Sequence, residues 1–161
     1  MKKIYLTIVL ILTILCGSPQ AELIDRVCAF VDNDAITFSE FIKTYNDTKA
    51  RIPNITKDEV LNTMVNRVLL KRAASAMKII GTDEDKIITE YIDLKVRSYV
   101  IIKEEDIEGF YNRHKKEFAG ADIADVRADI EKLLTEEDVN TRLTALLTEL
   151  RKQAYVKVQA E

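Results

Sequence analysis

The only stretches of this chain that read as β-strand lie at its opposite ends. Near the start, Val27, Ala29 and Val31 alternate with Arg26, Cys28 and Phe30, and Asp32-Asn33-Asp34 supplies turn chemistry. Leu23 to Thr37 is therefore expected to form a strand, a tight turn and a second short strand. At the far end, Ala154 to Val158 alternates in the same way. A lone terminal strand leaves its backbone groups open unless it finds a partner. Ala154–Val158 is thus expected to pair with Ile24–Val31, which ties the two ends together and makes the intervening chain a return path.

That path reads as helix. Thr37-Phe38-Ser39-Glu40 is a capping box, and Phe38, Phe41, Ile42 and Tyr45 follow at helical spacing to about Arg51, before Pro53. A second box, Thr56 to Glu59, opens a helix to about Met77. Val60, Leu61, Met64, Val65, Val68 and Leu69 form one broad apolar face, widened by Leu70, Ala73, Ala74 and Met77. Gly81 is expected to close that unit. Thr82-Asp83-Glu84 starts a third helix to about Tyr99, and the β-branched Val100-Ile101-Ile102 separates it from an acidic start at Glu104-Glu105-Asp106. Phe118-Ala119-Gly120-Ala121 is a joint. Beyond it, apolar positions from Ile123 to Leu150 keep helical spacing, with one helix or two divided at Thr135 both compatible. The predicted class is mainly α, with a small β element joining the ends.

Composition narrows the chemistry. With 161 residues the chain can bury one ordinary core. Four glycines and two prolines are too few for a turn-rich sandwich or barrel. Gly17, Gly81, Gly109 and Gly120 stand too far apart to assemble a phosphate loop or a dinucleotide fingerprint. His114 is the only histidine and sits beside Arg113, Lys115 and Lys116, as a solvated helix face would. Cys28 lies among apolar neighbours, the setting of an inert packing residue rather than a reactive thiolate. Once Cys16 leaves with the expected signal, one His and one Cys fall short of a closed zinc site. Acidic runs at residues 83–85, 104–106 and 136–138 fall near expected helix starts, where the dipole favours carboxylates over any calcium loop. The expectation is a protein without catalytic residues, metal or cofactor.

The first residues are expected to be removed. Lys2 and Lys3 precede an apolar run, Ile4 to Leu15, of about 12 residues, shorter than the roughly 20 of a spanning helix, and small residues follow. Residues 1–21 read as a secretory signal peptide, and residues 22–161 as one exported domain. Leu15 is larger than acylation of Cys16 would want, and cuts after Gly17, Ser18 and Ala21 are all compatible, each with Pro19 close by. Loss of Lys2 and Lys3 takes the formal charge from −3 to −5, a poor match for nucleic acid. Cys28 then remains as the single thiol, so no internal disulfide can staple the fold.

Four segments resemble the SurA-type periplasmic chaperones in the order that family has them. LIDRVCAFVDNDAITFSEF (23–41) is similar to its opening strand and first helix, and LNTMVNRVLLKRAA (61–74) to an early helix. IKEEDIEGFYNRHKKEF (102–118) is similar to the helix before the family's insertion point, and LTELRKQAYVKV (147–158) to its closing helix and strand. The resemblance implies a SurA N-terminal-like chaperone module, with an N-terminal part over 22–118 and a C-terminal helix and strand over 121–158. Relatives commonly carry parvulin-type prolyl isomerase domains between those parts. Here only Phe118–Ala121 occupies that place, so isomerase activity is not expected, and the region Met77–Tyr99 is shorter than in long relatives.

The resemblance further implies an ATP-independent periplasmic holdase whose partners are unfolded exported polypeptides, above all outer-membrane protein precursors. Met64, Met77, Tyr91, Tyr99 and Tyr111 are the candidate client-binding residues, because Met adapts its shape and aromatic rings add contact area at low entropy cost. The competing reading is an assembly or scaffold subunit that holds one specific folded partner, or itself as a dimer through the terminal strand.

Overall fold

The computed structural model describes residues 25–159. The expected signal peptide, residues 1–21, lies outside them, Cys16 included. The described chain runs β1 (Val27–Val31), β2 (Asp34–Thr37), α1 (Phe38–Arg51), α2 (Lys57–Ala76), α3 (Glu84–Lys95), a 3-10 turn (Arg97–Tyr99), α4 (Glu104–His114), α5 (Ile123–Gln153) and β3 (Val156–Val158). It is mainly helical, with one small antiparallel sheet of order β2-β1-β3.

The ends of the chain meet in that sheet. β1 pairs with β2 through Ala29↔Ile36 and Val31↔Asp34, and with β3 through Ala29↔Val158 and Val31↔Val156. Cys28 is the extra residue of a β-bulge between the Val27 and Ala29 pairs, which leaves it half-buried rather than fully inside. Asp32 makes the joint firm. Its N–H donates to the Tyr155 carbonyl at 2.8 Å, and its Oδ1 accepts from the Tyr155 N–H at 2.7 Å. Its other oxygen pairs with Arg72 of α2 at 2.9 Å. Asp32 adopts φ 52°, a left-handed conformation that Asp tolerates better than most residues.

Both capping boxes form. Thr37 and Thr56 accept from the backbone N–H of Glu40 and Glu59, whose carboxylates accept from the cap N–H groups at 3.0 and 2.8 Å. The end of α2 differs from expectation: the chain turns at Lys78, φ 61°, and not at Gly81. Ile79 N–H reaches the Ala74 carbonyl and Lys78 N–H that of Ser75, a Schellman motif with lysine at the position where glycine is common. Met77 is consequently exposed at the cap instead of extending the apolar face.

α5 is one helix of 31 residues, about 46 Å long. Thr135 does not break it, because its hydroxyl donates to the Glu131 carbonyl of the preceding turn at 2.7 Å. Leu143, Leu146, Leu147 and Leu150 in its second half pack on a core of Leu70, Ala74, Ile88 and Tyr91; Leu150 also reaches the sheet-side core of Ala29, Val31, Phe41, Val60 and Val65. Its first half lies along α4, where Arg127 pairs with Glu104 and Glu131. The joint between α4 and α5 carries two left-handed residues, Ala119 and Gly120. No helix among the described residues is long and apolar enough to cross a membrane.

Candidate functional site

α3 stops at Lys95, short of the expected Tyr99. Val96 is 1% exposed and leaves helical geometry at φ −124°, ψ −67°. The 3-10 turn follows, held by Tyr99 N–H to the Val96 carbonyl and Val100 N–H to that of Arg97, both 3.1 Å. Val100 is extended, at φ −83° and ψ 119°, and Lys103 then caps α4 as its N–H donates to Asp106 at 3.1 Å. The β-branched run belongs to no strand of the sheet. It alternates as a strand does, with Val100 and Ile102 half-buried and Ile101 exposed.

Val100 and Ile102 form one side of a groove of about 860 Å³ whose other side is the middle of α5. Its apolar lining is Val100, Ile102, Ala128 and Val139; Arg97, Glu131, Lys132 and Glu136 supply the polar part. Large apolar side chains border these residues in sequence yet stay in water: Tyr99 is 61% exposed, Ile101 76% and Leu133 41%. The volume lies within the usual range of ligand pockets. A lining of mixed polarity, next in sequence to exposed Tyr99 and Ile101, suits reversible contact with an extended segment that carries both apolar and polar side chains.

A second groove, also of about 860 Å³, lies between β2, α1 and α2, with Ile36, Met64 and Val68 in its lining. Its cations are engaged. Arg72 bridges Asp32 and Asp34; Lys71 contacts Glu84 at 2.7 Å, and Arg67 contacts Glu84 and Asp85 at 3.2 and 2.6 Å. The Lys71 hydrogen bond, together with Arg67, holds the Glu84 carboxyl below its ordinary range against the opposing effect of burial. The Asp34 hydrogen bond is the main cause that raises Arg72. These pairs join the hairpin to α2 and α2 to α3, so this groove reads as structural seam.

The five expected client-binding residues do not converge. Met64 lines the second groove and packs on the sheet-side core. Met77 is 45% exposed at the end of α2. Tyr99 is 61% exposed and precedes Val100 of the first groove in sequence, without lining the groove itself. Tyr111 is half-buried at the α4–α5 joint, its ring stacked 5.5 Å from Phe118 and its hydroxyl donating to the Ala121 carbonyl at 2.8 Å. Tyr91 is corrected outright: at 4% exposure, within the core of Leu70, Ala74 and Ile88, its ring cannot reach a client. The exposure of Ile101 and Leu133 is not legible in the sequence, because a β-branched or leucine position reads as core until the tertiary structure fails to cover it. The alternation 100–102, with no strand partner nearby in sequence, was the one available signal.

His114 is less solvated than its basic neighbours suggest. It stacks on Phe110 at 4.3 Å, and its Nδ1 lies 2.9 Å from Glu117. Among the described residues no group of three or more His, Cys, Asp or Glu could hold a metal ion. No protein-family model and no curated protein matches the chain.

Proposed function

We propose that this chain is an ATP-independent periplasmic holdase, which binds unfolded exported polypeptides, outer-membrane protein precursors in particular, in the groove between residues 97–102 and α5. The observation that carries this reading is the exposure of Tyr99 and Ile101 on the same segment whose Val100 and Ile102 line the groove; exposed apolar side chains of this size gain by being buried against a client. Affinity would be modest, on the order of micromolar, because release has no fuel. Clients would be shielded from pairing with one another while extended.

The test is light scattering from a urea-diluted outer-membrane protein, with and without the mature chain, beside a prolyl isomerisation assay. Suppression at near-stoichiometric amounts without isomerisation is expected. Unchanged scattering with a folded, helical protein would overturn the reading.

A further inference from the structure

β3 is an edge strand, and its register fixes which of its backbone groups face away from the sheet. Asp32 donates to the Tyr155 carbonyl, and Gln159 donates to the Cys28 carbonyl at 2.8 Å. In an antiparallel ladder hydrogen-bonded pairs alternate, so Tyr155, Lys157 and Gln159 direct their backbone groups at β1. The N–H and C=O of Val156 and Val158 therefore point outward, where the sheet has no further strand among the described residues. Four groups at strand spacing make a ready template for one more strand.

The side chains state what that strand should carry. Val156 and Val158 lie on the same face as Val31 and Ala29, which are fully buried, while Val158 is 47% exposed at the rim of that core. Lys157 stands on the opposite face beside Tyr155, which is 64% exposed, and has no acidic partner among the described residues. The edge is also held in place from behind: Asp32 fixes Tyr155, and Arg151, a few residues before β3, bonds Asn66 at 2.8 Å.

We infer that the outer edge of β3 captures an extended segment of another polypeptide with an apolar–acidic–apolar pattern, by antiparallel strand addition. The two apolar residues extend the core face beside Val156 and Val158, and the acidic residue lies opposite Lys157. A second copy is disfavoured as occupant, because pairing β3 with itself about its centre would set Lys157 against Lys157, a like-charge cross-strand pair. This site is separate from the groove of residues 97–102 and does not depend on that groove's role.

The probe is an acetylated, amidated, fluorescent Ser-Val-Glu-Val-Ser peptide titrated against the mature chain by anisotropy. Saturable binding is expected, weakened about 2- to 5-fold when the peptide's Glu is replaced by Lys. Lys157→Glu should reverse that preference. Methylation of the two valine amides, which face β3 in this register, should abolish binding. Val158→Pro removes one outward N–H but none facing β1, and should weaken binding at least about tenfold with the circular dichroism spectrum unchanged. Absence of saturable binding, equal binding of the methylated peptide, or an unchanged charge preference in Lys157→Glu would overturn the inference. So would a dimer in sedimentation that Val158→Pro dissolves, since the edge would then belong to a second copy.

Discussion

Lys78 carries a cost that a glycine would not. A non-glycine residue at φ 61° crowds its Cβ against the backbone, yet the Schellman bonds to Ala74 and Ser75 hold it there. Lys78→Gly should stabilise the protein by about 0.5–1 kcal/mol, read as a higher urea midpoint with an unchanged slope. Asp32 is the opposite case, where the left-handed residue also makes bonds. Asp32→Ala loses the acceptor for Tyr155 N–H and the Arg72 pair while keeping the strained backbone, and should cost about 1–3 kcal/mol in the same measurement. Asp32→Asn, which keeps an acceptor and tolerates the conformation, should cost clearly less. Asp32 lies in the turn that Asp32-Asn33-Asp34 announces, whereas a lysine three positions before a glycine gives no sign that it, and not Gly81, ends α2.

At the scale of elements, what was legible was what a few neighbouring residues decide. Thr37 with Glu40 and Thr56 with Glu59 place two helix starts, because each box is completed by residues three apart. The alternation at both ends implied the β1–β3 pairing, since a strand without a neighbour in sequence must seek one in space. The course of α5 through Thr135 was not legible, because a threonine hydroxyl can bond the helix's own carbonyl or break away, and packing along α4 decides. That packing is testable. Ile130 is 1% exposed on the part of α5 that faces α4, so Ile130→Ala should cost about 2–5 kcal/mol, while the exposed Ile101→Ser should stay within roughly 0.5 kcal/mol. Urea unfolding of both variants, with helical content followed by circular dichroism, measures the contrast.

Over the whole molecule, ion pairs add polar links between helices that also pack against one another. Glu84, bonded by Lys71 and Arg67, links α3 to α2, and Glu104, bonded by Arg127, links α4 to α5. Both carboxyls are held below their ordinary value of 4.5, by those hydrogen bonds first. Their contribution is therefore complete above about pH 4.5 and lost as pH falls through the lower folded value. Glu84→Gln should lower Tm at pH 7, and its deficit relative to the natural chain should narrow as pH falls below 4.5, so the acid-induced drop shrinks. An equal drop in both proteins would show that the pair does not act in this way.

The candidate site was the least legible part, since exposure belongs to the assembled molecule. Tyr91 and Tyr99 look alike in the sequence, yet one is core and the other stands in water. The proposal that this groove holds clients is most directly tested by light scattering with Tyr99→Ser/Ile101→Ser, on a protein shown by its melting curve to be as stable as the natural chain. The account predicts that suppression of client aggregation is largely lost. Full suppression by that variant would contradict it and move client contact elsewhere on the molecule.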